Sequence, residues 1–227
     1  MIDNPPILTI HRGWTRAAPA LLTAFRGAQT SHLVDAMDGR GALDWRIKPL
    51  DGGSSFVGSA LPAHAYPGDI AARFGAVAEA QDGDAIVVAC DGYTGTAVFG
   101  DLAAGMMRNK GVVAFVTDGL ARDKAGILMT GLPVYCQGIS PNSPALNGPG
   151  VVGVPVVCGG VHIAPGDILV GDADGVVVVP VARASAVLAR LAEIRAAEAV
   201  MERRVRNGLT LSDGAAAMVA AARIVQV

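Results

Sequence analysis

Ala85-Ile-Val-Val-Ala-Cys90 and Gly111-Val-Val-Ala-Phe-Val-Thr-Asp118 decide how this chain folds. Both runs are short, apolar and rich in β-branched residues, and each is closed by an Asp-Gly pair, Asp91-Gly92 or Asp118-Gly119. Such runs read as strands buried on both faces and ended by turns. A helical pattern from about Phe99 to Lys110 separates them. Strand, helix, strand predicts parallel neighbours joined by a right-handed crossover, which brings the loops after both strands to one sheet edge. Gly100-Asp101 lies on the path out of the first strand; Arg122-Asp123, twenty residues on, lies on the path out of the second. Loops at that edge are where α/β folds bind ligands.

Outward from this unit, Lys124–Met129 reads as a short helix. Upstream, residues 13–27 read as a helix and Thr30–Met37 as a second, with Thr30 or Ser31 as its N-cap. Ile47 to Pro67 is β-rich, Ile70 to Ala80 helical, and Gln81–Asp84 a turn. Beyond Gly131 the texture changes. Leu132–Cys136, Val151–Val157, Gly160–Ile163, Ile168–Val170 and Gly175–Val179 are short β runs, punctuated by Pro165-Gly166-Asp167 and Asp172–Gly175. Their density predicts a barrel or a second β layer. Pro180 at a first helical position begins one long helix, Val181–Asn207, stopped by Gly208, and Ser212-Asp213 caps a last helix to about Ile224. With no linker or repeat, residues 1–227 are expected to form a single α/β domain. Residues 1–24 would hold an N-terminal helix and 180–227 a C-terminal helical extension.

Composition narrows the function classes. Hydrophobic residues make up 52% of the chain and charged residues 17%, and the mean hydropathy is +0.43. Glycine, proline or charge interrupts each apolar run short of the roughly 18 residues a membrane span needs. The apolar excess is therefore assigned to a buried sheet and to subunit interfaces, which predicts a homo-oligomer. A net charge of −2 and 4% aromatic residues disfavour nucleic-acid binding. Cys90, Cys136 and Cys158 are widely spaced in apolar surroundings and read as buried thiols of a reducing compartment. Met1-Ile-Asp-Asn-Pro-Pro6 has no leader-like pattern, so a cytoplasmic location is expected.

An arginine can clamp a carboxylate through two parallel hydrogen bonds, and an adjacent aspartate can hold a hard divalent metal. Alone, Arg122-Asp123 is a surface ion pair, and Gly100-Asp101 a helix start with an acid complementing the dipole. Together they form a constellation. The backbone N–H groups of Asp101, Leu102 and Ala103 would favour an anion at the helix end. With Arg122 and Asp123 they suit a small carboxylate bound beside a divalent ion. The four histidines, His11, His32, His64 and His162, lack ligand spacing, and Cys90 has no neighbouring histidine to activate it. Asp167, Asp172 and Asp174 fit turn chemistry. Gly92-Tyr-Thr-Gly95 with Gly100 matches neither a dinucleotide fingerprint nor a P-loop.

Gly100-Asp101 and Arg122-Asp123 at this spacing resemble the signature of the class II pyruvate aldolases acting on 4-hydroxy-4-methyl-2-oxoglutarate and 4-carboxy-4-hydroxy-2-oxoadipate. Those enzymes share a fold with regulator of ribonuclease E activity A, in the RraA-like superfamily. Other segments are similar too: Thr30-Ser-His-Leu-Val-Asp35-Ala36, Val57-Gly58-Ser-Ala60, Pro67-Gly68-Asp69, Leu132-Pro133-Val134-Tyr135 with Ser140-Pro141, and Pro155 through Val176. The resemblance covers about residues 25 to 210. It implies a layered, swivelling β/β/α-type domain with a parallel strand–helix core, a β-rich second layer and C-terminal helices, assembled as a homotrimer or hexamer. It implies that Asp123 ligates Mg²⁺ or Mn²⁺ and that Arg122 binds the pyruvyl part and stabilises an enolate. The backbone at Gly100, Leu102 and Ala103 would hold the pyruvyl carboxylate, while Asp101 orients a water on the metal. A glutamate from a neighbouring subunit's late helix would complete the site; Glu198 fits that position and Glu202 is the fallback. The chain departs from the commoner Gly-Glu-Leu-Leu with Gly100-Asp101-Leu-Ala103, and from the usual loop at Asn142–Asn147.

The implied reaction is metal-dependent retro-aldol cleavage of a 4-hydroxy-2-oxo acid to pyruvate, with oxaloacetate decarboxylation as a second activity. A Schiff-base route is disfavoured because the motif holds no lysine. The rival is a non-catalytic regulator of ribonuclease E that binds a protein partner. As the family pattern goes, the regulators lack an aspartate after the arginine, so Asp123 favours the enzyme.

Overall fold

The computed structural model describes residues 5–225; residues 1–4, on which the expectation of no leader partly rests, and 226–227 lie outside them. The chain runs β1 (Leu8–Ile10), α1 (Pro19–Ala24), α2 (Thr30–Ala36), β2 (Lys48–Pro49), β3 (Phe56–Ala65), α3 (Ala71–Glu79), β4 (Asp84–Ala89), β5 (Ala97–Phe99), α4 (Asp101–Asn109), β6 (Ala114–Thr117), β7 (Leu120–Ala121) and α5 (Lys124–Thr130). It continues through β8 (Val134–Cys136), β9 (Gly138–Ile139), β10 (Gly150–Val152), β11 (Val156–Cys158), β12 (Val161–Ile163), β13 (Ile168–Asp172), β14 (Gly175–Val179), α6 (Ala184–Arg206) and α7 (Asp213–Ala220).

Strands β3, β4, β6 and β8 pair in parallel in that order, and every residue of β4 and β6 is buried. These are the strands that the two opening runs predict, shifted by a residue or two. On its other side the long β3 takes β13 along its first half and β10 along its second, both antiparallel. Helices α2 and α6 pack over β13 and β14 through Leu33, Val187 and Leu191. The α/β class with a parallel core, extra β layers and C-terminal helices is thus the observed architecture.

A smaller sheet positions the candidate site. β5, β7 and β9 pair in parallel, in the same order as β4, β6 and β8. Each core strand bends at its C-terminal end and, after a loop, resumes as a short strand of this second sheet. Buried Asp118 fixes the bends, accepting hydrogen bonds from the Cys90 N–H at 2.8 Å and the Gly92 N–H at 3.1 Å. Phe99 of β5 stacks on Phe115 of β6, with ring centroids 3.9 Å apart and 13° between planes. The loops predicted to bind ligand therefore leave the smaller sheet, not the main one.

Three local expectations change. The helix over residues 13–27 contracts to α1, because Arg16 is drawn out to Asp84 at 2.9 Å and the Ala17 N–H donates to Ser59 Oγ at 3.0 Å. Buried Asp84 accepts from that guanidinium, which a continuous helix could not deliver. Thr30 is the first residue of α2 and not its cap: Asp172, from the β13–β14 hairpin, accepts from its N–H and its hydroxyl, each at 2.8 Å. Phe99 belongs to β5, and α4 begins only at Asp101. The late helices are found with their expected stop and cap, Gly208 at φ 94 beyond α6 and Ser212 on α7, but α6 starts only at Ala184, after a 3-10 turn over Val181–Arg183, and α7 ends at Ala220, short of Ile224. Among the described residues no helix is long and apolar enough to cross a membrane.

Candidate active site

β5 delivers Gly100 as the N-cap of α4, and β7 delivers Arg122 and then Asp123 as the N-cap of α5. Arg122 is anchored by its own N–H, which donates to the Phe99 carbonyl at 2.8 Å. Its Nη1 donates to Ser143 Oγ at 2.9 Å, and its Nε lies 3.3 Å from Asp123 Oδ2. Asp123 stands in the left-handed region at φ 57 and does not cap its own helix with its side chain. Aspartate is among the residues that tolerate this region, and Asp38 and Asp91 adopt it too, at φ 57 and 56. The backbone conformation turns its carboxylate towards Gly100, where an added Cβ would lie 2.8 Å from Oδ2. Gly100 itself is extended, at φ −152, so space for that carboxylate calls for glycine here and the backbone conformation does not.

Asp101 occupies the first turn of α4 and fills the space beside Gly126, where a Cβ would meet its Oδ2 at 2.5 Å. Its Oδ1 accepts from the Leu102 N–H at 2.7 Å, so an incoming anion at that amide must displace it. Gly100, Asp101, Leu102, Ala103, Arg122 and Asp123 together line a cavity of about 170 Å³, joined by Ile70 just before α3, Arg73 and Phe74 of α3, Met106 of α4, and Pro144. That volume suits a ligand smaller than drug-sized molecules, which take roughly 300 Å³ or more.

The predicted glutamates lie elsewhere. Glu198 sits on α6 with its carboxylate against His32 of α2, and Glu202 accepts from Arg206 at 3.0 Å. Within one chain, neither lines the cavity. Cys90 is held as a thiol: burial, then the adjacent Asp118 carboxylate, push its pKa up to about 12.

Arg73 is the residue that sequence reasoning missed. It is 8% exposed, and burial, then the positive charge of Arg122, pull its pKa down to about 10. Its guanidinium lies over the Phe74 ring at 4.6 Å, and Nη1 donates to the Val98 carbonyl at 3.2 Å. In Ala71-Ala-Arg73-Phe74 it looks like any helical arginine. Only the meeting of the starts of α3 and α4 puts it at the site.

Asp123 and Asp101 could hold a divalent ion at this cavity. Magnesium commonly takes one or two carboxylates and keeps several waters, which matches so sparse a donor set. Among the described residues there is no group of three or more His, Cys, Asp or Glu of the kind a closed zinc site needs.

A family model described as Aldolase/RraA matches residues 30–178, a span that contains every residue lining the cavity. The chain belongs to the RraA-like family. Its relatives carry more than one activity in their names. A protein of Halalkalibacterium halodurans is 36% identical over 188 residues, 83% of this chain and 90% of that one, and its name gives it, provisionally, as a 4-hydroxy-4-methyl-2-oxoglutarate aldolase. The solved structure of Streptomyces coelicolor RraAS2, described as an unusual member of the RNase ES inhibitor RraA protein family, superposes with a TM-score of 0.75 at 28% identity, covering 83% of this chain and all 100% of that one. A structure of an uncharacterised protein of Pseudomonas syringae pv. tomato gives a TM-score of 0.76 at 28% identity, covering 87% and 97%. Membership in the RraA-like family fixes the fold and leaves the choice between aldolase and inhibitor to the site.

Proposed function

We propose that this RraA-like protein is a divalent-metal-dependent lyase that cleaves a 4-hydroxy-2-oxo acid, such as 4-hydroxy-4-methyl-2-oxoglutarate or 4-carboxy-4-hydroxy-2-oxoadipate, to pyruvate. The observation that carries the proposal is Asp123: a carboxylate in a left-handed conformation, free of helix capping, bordering a small cavity with Arg122 and a helix start. In the family pattern that the chain resembles, the regulators lack an aspartate after the arginine, so Asp123 favours the enzyme. A relative named as an aldolase and covering most of the chain supports the same reading.

When bound by Asp123, Mg²⁺ or Mn²⁺ supplies Lewis acidity to the substrate's 2-oxo group. Arg122 donates to the same oxygen, whose negative charge grows as the bond breaks, so its contribution is largest in the transition state. The first-turn amides of α4, at Leu102 and Ala103, receive the pyruvyl carboxylate once Asp101 yields the Leu102 N–H. Asp101, freed from that bond, orients a water that takes the proton of the C4 hydroxyl, together with Glu198 of the partner subunit. As C4 becomes a carbonyl, the C3–C4 electron pair passes into the C2–C3 bond of a pyruvate enolate. Protonation at C3 then gives pyruvate. Oxaloacetate decarboxylation reaches the same enolate by loss of CO₂ and is the expected second activity. The site would be shared between subunits of a homotrimer or hexamer.

Pyruvate release from 4-hydroxy-4-methyl-2-oxoglutarate and from oxaloacetate, each with Mg²⁺ or with EDTA, tests the proposal. Release with the metal and none with the chelator is expected. Absence of release from both substrates by folded protein would favour the inhibitor-like, protein-binding alternative.

A further inference from the structure

Arg73 has no assigned role in the chemistry above, yet it is the least comfortable charge at the site. Its guanidinium is buried, its Nε has no hydrogen-bond partner, and among the described residues no carboxylate pairs with it. A buried charge without a counter-ion is strongly unfavourable, and an anionic ligand in the cavity would supply the missing one. Its one anchor is the Val98 carbonyl of β5, while Arg122 is anchored on the next carbonyl, that of Phe99. Two arginines from different elements, Arg73 of α3 and Arg122 just after β7, thus line one small cavity. A single carboxylate held by Arg122 and α4 would leave Arg73 uncompensated.

We propose that Arg73 receives a second carboxylate, making the cavity selective for dianionic over monoanionic 2-oxo acids. This rests on the lyase reading for the orientation of the substrate, with its pyruvyl end at Arg122 and Asp123 and its far carboxylate at Arg73. With Nη1 held by the Val98 carbonyl and the guanidinium over the Phe74 ring, the unpartnered Nε is left to donate to that carboxylate. A purely structural role makes the opposite demand: an arginine kept only to tie α3 to β5 through Val98 would serve stability and not discrimination.

The test is equilibrium binding by calorimetry, in Mg²⁺, of pyruvate and of 2-oxoglutarate, a dianion with no C4 hydroxyl to cleave. Wild type, Arg73→Met and Arg73→Lys are compared, with thermal melting of each. Wild type is expected to prefer 2-oxoglutarate. Arg73→Met should lose about tenfold to a hundredfold in affinity for 2-oxoglutarate while changing less than about twofold for pyruvate. Arg73→Lys should fall between, and Arg73→Met should melt no lower than wild type, since it removes an unpaired buried charge. Equal weakening of both ligands, a lowered melting temperature with unchanged selectivity, or no binding of either probe by wild type would each overturn the proposal. Charge selectivity that disappears with Arg73→Met in a protein that releases no pyruvate from any 4-hydroxy-2-oxo acid would uphold Arg73 and refute the lyase.

Discussion

Glycine and aspartate do unequal work at this cavity, and single substitutions separate their roles. Gly100 has a backbone any residue can adopt, so Gly100→Ala should fold normally while its methyl group displaces the Asp123 carboxylate 2.8 Å away. A loss of about tenfold to a hundredfold in metal affinity or turnover is expected, as for groups that position a ligand; calorimetric Mn²⁺ titration checks it. Asp123→Gly is the complement. Glycine accepts φ 57 without strain, so this variant should melt at the same temperature or higher while activity disappears. A drop in melting temperature would mean that Asp123 serves the fold. The motif residues were legible because each carries chemistry at a fixed spacing. Arg73 was not, since an arginine's burial and lack of a partner are properties of the folded molecule.

At the level of elements, the long apolar runs announced themselves and the site's own strands did not. β4 and β6 are runs of buried residues bounded by turns, a pattern that needs no tertiary knowledge. β5, β7 and β9 have two or three residues each, too few for any periodicity to show. Their existence depends on core strands bending at Asp118 and Gly119, where a side chain at Gly119 would lie 2.6 Å from Cys90 Sγ. The N-terminal helix failed as a prediction for a related reason: the ion pair of Arg16 with Asp84 joins residues far apart in sequence. The stack of Phe99 on Phe115 is the joint between the sheets. Phe115→Ala should destabilise the protein by about 3–5 kcal/mol in denaturant unfolding. Because Arg122 hangs on the Phe99 carbonyl, turnover of the remaining folded protein should fall as well. Destabilisation with unchanged turnover would show that β5 holds its place without the stack.

The whole molecule leaves apolar side chains uncovered on its late helices. Val200, Met201 and Val205 of α6 and Met218 and Val219 of α7 are exposed in the single chain, and apolar side chains left uncovered in this way are what a subunit interface would bury. If a partner's α6 brings Glu198 to the cavity, two dead variants should rescue each other. Asp123→Ala and Glu198→Ala, mixed and reassembled, would regain part of the activity because some sites contain both intact residues. No recovery in mixed oligomers would confine Glu198 to its own chain, beside His32. The fold class, the parallel core and the late helices were readable from sequence; for assembly the sequence offers only an apolar excess, since nothing in the chain says which face would meet which. The decisive measurement is pyruvate release from 4-hydroxy-4-methyl-2-oxoglutarate in Mg²⁺ by wild type and by Asp123→Asn, the variant that keeps the side chain's shape and its tolerance of a left-handed backbone. A metal-assisted lyase centred on Asp123 requires turnover in the first and its loss in the second at equal stability. Equal release from both proteins, or none from a folded wild type, would contradict it.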